Sequence, residues 1–524
     1  STGNPTAAED AYRQSLGIQP RFPQALINLG LTLEKIGKRD EALQQWASLV
    51  SQRYLQDPPP SNMLTMALNH IGRVQEELKQ YALAEKALEE SLAIDPKQTN
   101  ALQHWIHIRQ KSCAWPVYKP LPHISQHEML MATSPLAMLA LTDDPVQQLL
   151  TNFAFVERTY GFKQEYLSKG RQYHHERLRI GFVSGDLCVH AVGLLLAEVF
   201  EGIDRSKHEV VGYDFSPEDG TAHRARLKKA FDHLRPIHTL TDRQVAELVL
   251  ADEIDVLIDL HGLSSGARPG IFALHPAPKQ GTYLGFIGTT GMPWFDFVIA
   301  DRYALPEELT IYFTEKPLYL DGSFIPLTRD DAQLPEATRS ASGLAEDAFV
   351  MAAFGNVYKI TPEMFATWMA LLKEIPKAIL WIIDDNPATT ANLKAHATAA
   401  NIDLNKIKFT PRTTHIEYKA KLKLADVFLD TFPYNCGSTS NDVINAGVPL
   451  VTISGKSLVS RMGGSILKHA KLESTICDST NEYMEKIYIL SKKSAVNHTF
   501  NKEGYRLISE SLASGLILVC NKFV

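Results

Sequence analysis

Between positions 178 and 453 short apolar runs alternate with helical patterns. Runs at 178–184, 209–213, 254–260 and 297–300 have the length and the β-branched, aromatic content of buried strands. A second series falls at 349–354, 379–383, 407–409, 427–429 and 450–453. Stretches such as 245–251, 362–373 and 416–424 carry apolar positions at helical spacing. Strands alternating with helices predict parallel sheets covered on both faces, and two series predict two doubly wound, Rossmann-like α/β domains. Ligands of such domains sit beyond the carboxyl ends of the strands. The polar stretch 320–343, with Pro326 and Pro335, is predicted to connect the two halves.

Ahead of this region the pattern is helical, and it repeats. Leu26, Leu29, Gly30, Leu33, Gly37, Ala42 and Trp46 stand where a tetratricopeptide helix pair needs small and large residues in turn. Leu68, Ile71, Gly72, Tyr81, Ala84, Leu88 and Pro96 repeat the pattern. The two units are about 42 residues apart rather than the usual 34 or so, which the insert around Asp57 and Pro58–Pro60 accounts for. Ala8, Tyr12, Ser15 and Pro20 read as the second helix of a preceding unit. Residues 100–175 read as mostly helical, broken at Pro116, Pro120 and Pro122. The predicted division is 1–110 for the repeats, 111–177 for a helical linker, 178–340 for the first lobe and 341–524 for the second.

Bulk composition narrows the function classes. With 524 residues there is enough chain for several domains, and 45% hydrophobic and 21% charged residues are ordinary for globular protein. A net charge of -6 argues against a general nucleic-acid partner. No apolar run is long enough to span a bilayer, so no membrane partner is expected. The opening Ser-Thr-Gly-Asn-Pro lacks the basic and apolar regions of a secretion signal. Cys113, Cys188, Cys436, Cys477 and Cys520 are scattered and odd in number, which fits neither a disulfide framework nor paired metal ligands. A reducing cytoplasm is the expected compartment.

Five segments carry candidate chemistry. The richest is 429–452, which reads strand, small polar loop, short helix, Gly stop and strand. A helix start fed by small residues leaves backbone N–H groups free for an anion. Ser438, Thr439 and Ser440 are candidate caps and phosphate donors, and Asp442, expected in the first turn, is a candidate ribose ligand. The same residues also read as an ordinary capped helix. After the first strand, Ser184-Gly185-Asp186 leads to His190. That pair is a candidate proton-handling or orienting couple, or else a helix cap and a core histidine. The loop His261–Arg268 and the glycine- and threonine-rich 281–293 could approach a ligand closely or serve as turns. In 354–362, Lys359 follows Asn356 and precedes a helix opened by Thr361 and Pro362. Its charge can neutralise a leaving diphosphate, although most lysines are simply solvated. Arg461 is a weaker candidate. No metal-ligand set and no Asp-x-Asp motif stands out, so no metal cofactor is expected.

Together the motifs resemble the O-linked N-acetylglucosamine transferase family, including its Spindly-type and bacterial relatives. The resemblance rests on the repeats followed by LRIGFVSGDLCVH, FALHPAPKQGTYLGFIGTTGMPWFDFVIAD, FGNVYKITP and ADVFLDTFPYN. It implies a two-lobed glycosyltransferase B fold that uses a nucleotide sugar without metal and inverts the anomeric carbon. By position His190 and Asp186 match the family's active-site pair, and Lys359, with Asn356 beside it, its diphosphate-binding lysine. Asp442 matches the ribose carboxylate, Ser438 and Thr439 a phosphate-binding Thr-Thr pair, and Arg412 and Thr413 the segment that meets the base. Gly437 stands where the family usually has His, Leu194 replaces a further His of animal members, and Tyr418 replaces their nucleobase-flanking His.

The expected function is transfer of a sugar, first of all N-acetylglucosamine, from its UDP donor to Ser or Thr of a protein held along the repeat groove. Alternatives are UDP-glucose or GDP-fucose as donor, a repeat scaffold with an inactive catalytic half, or a non-protein glycosyltransferase or epimerase of the same fold.

Overall fold

The computed structural model describes residues 4–328 and 333–492. Cys520, the end of the predicted second lobe and part of the connecting stretch therefore lie outside the described residues. Two compact units are present. Of the described residues, one holds those up to Ser134 together with Asp385–His396, and the other holds those of Pro135–Asp384 and from Ala397 onward.

The first unit is built on helices Pro5–Ile18, Pro23–Lys35, Arg39–Ser51, Ser61–Glu77, Tyr81–Ile94 and Thr99–Lys111. Leu26, Leu29, Leu33, Ala42 and Trp46 form its buried core. Close approach of the paired helices explains the glycines. A Cβ at Gly30 would fall 2.2 Å from Nε1 of Trp46, and one at Gly72 would fall 2.7 Å from the Leu88 side chain. The insert around Asp57 and Pro58–Pro60 holds no helix; a 3-10 turn, Gln52–Tyr54, precedes it and the long helix Ser61–Glu77 follows. Segment Asp385–His396 joins this unit through Thr389 Oγ1 to Lys111 O (2.8 Å), Asn392 Nδ2 to Ser112 O (2.9 Å) and a stack of His396 on Trp115.

The second unit opens with helices Pro135–Leu141 and Pro145–Thr159. Residues 160–177 hold no helix, so the region read as mostly helical is helical only to Thr159. Asp144 accepts the amides of Val146 and Gln147 to start the longer helix, where Pro145 needs no donor.

Two parallel sheets follow. The first contains β1 (Leu178–Ser184), β2 (His208–Asp214), β3 (His233–Pro236), β4 (Val256–Asp259), β5 (Lys279–Thr282), β6 (Phe297–Asp301) and β7 (Lys316–Leu320) in the order β3-β2-β1-β4-β5-β6-β7. The second contains β8 (Phe349–Ala353), β9 (Ala378–Asp384), β10 (Ile407–Pro411), β11 (Val427–Leu429), β12 (Leu450–Ile453) and β13 (Ile476–Cys477) in the order β10-β9-β8-β11-β12-β13. The order reverses between β1 and β4 in one sheet and between β8 and β11 in the other. Those reversals open a crevice at the carboxyl ends of these four strands.

Four strands lacked an apolar signature. β3 and β7 are edge strands, and Pro317 in β7 is tolerated because an edge needs fewer donors. β13 has two residues. β5 is internal but reads Lys-Gln-Gly-Thr; Gln280 is buried and donates through Nε2 to Phe272 O and Trp294 O, both at 2.9 Å. Glycine at 281 lets Phe297 lie against the strand, where a Cβ would come within 2.2 Å of its ring. No helix among the described residues is long and apolar enough to cross a membrane.

Overpacking a filled helix contact costs about 1–3 kcal/mol. Gly30→Ala is therefore expected to lower stability by about that amount, read from urea denaturation followed by circular dichroism. An unchanged midpoint would contradict the packing described.

Candidate functional site

Chemistry-bearing side chains gather on the loops that leave the two switch points. Beyond β1, Asp186 Oδ2 lies 3.5 Å from His190 Nδ1 and 3.6 Å from His261 Nε2. His261 comes from the loop after β4, so the Ser184–His190 and His261–Arg268 segments share one corner. Asp259 ends β4 and shapes that loop: its buried carboxylate accepts the amides of His261 (3.1 Å) and Gly262 (2.7 Å). Burial pushes its carboxyl up to about 7, with those two amides opposing the rise.

Hydrogen bonding fixes the state of His261. Its Nε2 accepts the Gly185 amide at 2.8 Å, which leaves the proton on Nδ1, 3.1 Å from Ser264 Oγ. Burial holds this imidazole below its ordinary pKa. The ring stacks on Phe215. His190 differs. It is no core histidine: half its side chain is exposed, and it caps helix Ala191–Gly202 by accepting the Val192 amide at 3.4 Å. Asp186, read as a possible cap, leaves that role to His190.

In the second lobe, Asp430 at the end of β11 organises the loop. Its carboxylate accepts the amides of Thr431 (2.8 Å) and Cys436 (2.7 Å) and the Thr452 hydroxyl (2.7 Å), while burial raises its pKa. The loop ends at Gly437, which opens helix Ser438–Asn445 without a side-chain cap. This corrects the expected caps. Ser440 is buried and donates to Cys436 O at 2.9 Å, and Asp442 stands in the second turn, not the first. The space beside Gly437 is partly taken by Met462, whose Sδ would lie 3.2 Å from a Cβ there.

Lys359 reaches this loop from a 3-10 turn after β8. Its Nζ donates to Asn435 O at 3.2 Å and lies 3.8 Å from the centroid of the Tyr434 ring. It forms no ion pair among the described residues. Burial pushes the ammonium down to about 8, against smaller upward pulls from Cys436 and Asp430.

Two cavities adjoin the helix start. One, of about 330 Å³, is lined by Asn356, Arg412, Thr413, Tyr418, Thr439 and Asp442 among others. There Arg412 donates to Asn356 Oδ1 at 3.0 Å. The other, of about 340 Å³, lies between the lobes and has Ala191 and Leu194 on one wall and Ser438 and Asp442 on the opposite wall. His415 and Asp442 line both. His415 Nε2 sits 3.1 Å from each Asp442 oxygen, and its ring stacks on Tyr418. Six predicted residues thus surround the helix start, Asp186 and His190 form a separate corner, and Lys359 lies beneath the loop in neither lining.

Sequence reasoning missed His415 and underused His261. His415 opens the helix His415–Leu422 three residues before Tyr418, but its partner is 27 residues away. Arg461, the weaker candidate, is structural: it donates to Tyr303 O (2.8 Å) and Gly455 O (3.0 Å). Among the described residues no cluster of three or more His, Cys, Asp or Glu could hold a metal ion.

Known proteins match this chain in sequence and fold. The family model described as glycosyl transferase family 41 matches residues 121–334 and 328–509, and a tetratricopeptide-repeat model matches 67–98. The probable UDP-N-acetylglucosamine–peptide N-acetylglucosaminyltransferase SEC of Arabidopsis thaliana is 32% identical over 355 residues, covering 66% of this chain and 35% of that protein. The UDP-N-acetylglucosamine–peptide N-acetylglucosaminyltransferase of Caenorhabditis elegans is 24% identical, covering 59% of this chain and 37% of its own length. The chain thus spans about a third of the length of these curated relatives. A lysine-to-methionine mutant of the Thermobaculum terrenum O-GlcNAc transferase superposes with a TM-score of 0.70 at 25% identity, covering 99% of this chain and 92% of that one. The paired parallel sheets, the repeats and a family match across most of the sequence lead to one assignment: the chain belongs to glycosyl transferase family 41.

Proposed function

We propose that the chain transfers N-acetylglucosamine from UDP-N-acetylglucosamine to Ser or Thr hydroxyls of proteins, by inverting displacement and without a metal cofactor. The observation that carries this reading is the placement of Lys359. Its ammonium lies against the Asn435 carbonyl in the loop that feeds the uncapped helix start at Ser438. A fixed cation beside free amides suits a diphosphate that gains charge as the glycosidic bond breaks.

The other roles follow from position. Amides and hydroxyls of Ser438 and Thr439 meet the phosphates, and Asp442 takes the ribose. Asn356, Arg412 and Thr413 border the base. Guanine presents an edge of N–H donors that a carboxylate reads well. Among the described residues lining the cavity beside Arg412, Asp442 is the one carboxylate, and with Asp442 given to the ribose none is left to read guanine, so the reading favours uracil. His190 accepts an amide at Nδ1, so its Nε2 carries the hydrogen when the ring is neutral. That state suits orienting the acceptor or sugar better than removing a proton. The repeat groove suits an extended peptide acceptor. Cys113, Cys188, Cys436 and Cys477 are buried and form no disulfide among the described residues, in keeping with activity in a reducing cytoplasm.

Lys359→Met is expected to lower turnover at least about 100-fold, the scale seen when a charge-stabilising donor is removed, with the fold intact. Intact-mass analysis of acceptor proteins incubated with UDP-N-acetylglucosamine in chelator reads it out. Near-normal turnover of the variant would sink the assignment, and loss of wild-type turnover in chelator would sink the metal-free mechanism.

A second expectation concerns stability. The Lys359 pKa falls from its ordinary 10.5 to about 8 in the folded chain. The unfolded chain therefore binds that proton more tightly, and stability increases as pH rises from 8 towards 10.5. At pH 7 the folded protein carries the full cost of a desolvated charge. Ligand-free Lys359→Met should therefore melt above wild type near pH 7, with the gap closing as pH rises past 8. A variant that melts lower at pH 7 would contradict this.

A further inference from the structure

The loop that carries Asp186 and His190 is held by a second loop that no candidate motif includes. Leu187, fully buried, donates its amide to Ser216 Oγ at 2.8 Å. Its carbonyl accepts from Arg224 Nη1 at 2.8 Å. Val189, immediately before His190, donates its amide to Asp219 Oδ2 at 2.9 Å. The holding groups are themselves fixed. Arg224 is 5% exposed and pairs with Asp214 Oδ2 at 2.5 Å, and Asp214 also accepts the Ser216 amide at 2.9 Å. The other Asp219 oxygen accepts the amide and hydroxyl of Thr221, which caps helix Ala222–Lys229. From the opposite side, Gly193 lets the following helix touch the loop: a Cβ there would meet Cys188 O at 2.3 Å.

Arg224 and Asp214 form a buried ion pair, which is weak evidence for stability on its own. Here the arginine spends its second nitrogen on a carbonyl of the chemistry loop. Of the three amides between Asp186 and His190, Ser216 and Asp219 take the two that flank the pair, those of Leu187 and Val189. We infer that Ser216, Asp219 and Arg224 are positioning residues that set where Asp186 and His190 stand relative to the donor. They touch neither cavity lining beside the base nor the helix start at Ser438. They should therefore govern the rate of transfer and leave nucleotide binding alone. This inference rests on the proposed transferase reading.

Arg224→Ala would strand Asp214 as a buried charge, so its failure to fold would be uninformative about positioning. Ser216→Ala and Asp219→Ala each remove one hold, and Ser216→Thr keeps the hydroxyl. Each alanine variant is expected to lower kcat about tenfold or more, since small displacements of reacting groups carry such costs. UDP affinity by calorimetry should match wild type, the melting temperature should fall only slightly, and Ser216→Thr should retain most turnover. Unchanged kcat in both alanine variants would overturn the inference. So would a loss of kcat accompanied by equal loss of UDP affinity or a marked fall in melting temperature. Lys359→Met, assayed in parallel, separates the two readings. If it abolishes turnover while the alanine variants do not change kcat, only the positioning role fails; if it too keeps normal turnover, the transferase reading fails with it.

Discussion

An ammonium group with a carbonyl and an aromatic ring for company, and no carboxylate in ion-pair reach among the described residues, is an unfinished electrostatic arrangement. Lys359 is in that state because β8 delivers it beneath the loop after β11, at the point where the strand order of the second sheet reverses. Desolvation depresses its pKa, and a bound anion would restore it. Everything else near the crevice arranges where that anion could lie: the uncapped helix start, the Asp442–His415 pair and the two cavities that share it.

A recurrent device makes these loops specific. Asp214, Asp259 and Asp301 end their strands, and Asp430 directly follows one. All four are buried, and each accepts amides from the loop that follows. A buried carboxylate is costly unless its hydrogen bonds are filled. The loops therefore have little freedom to move away from it, and function-bearing residues inherit fixed positions. Asp301 extends the device across the lobes, accepting the Ser465 hydroxyl at 2.6 Å.

Much of this was legible in the sequence, for identifiable reasons. The central strands are apolar because both faces are covered, so β1, β2, β4, β6, β8, β9, β11 and β12 announced themselves. The repeats were legible from glycines set against Trp46 and Leu88. Lys359, Asp186 and His190 stood out because they follow strands directly. Other features depend on partners far along the chain. β5 survives as an internal strand only because Phe272 and Trp294 supply carbonyls to Gln280. His261 became part of the Asp186 corner through a bond to Gly185 that no local pattern encodes. His415 needed Asp442, and the expected cap at Ser440 turned inward because Cys436 offers its carbonyl there. The resemblance to a known family singled out the candidate residues, while the structure supplied the supports behind them.

On the proposed reading Lys359 is a partly discharged ammonium that a bound diphosphate recharges. Calorimetric titration with UDP from pH 7 to pH 9.5, repeated in buffers of different ionisation enthalpy, tests it directly. Proton uptake on binding is expected to grow as pH passes about 8, with affinity falling by up to roughly tenfold per further pH unit. UDP binding that is independent of pH across this range, with no proton taken up, would contradict it.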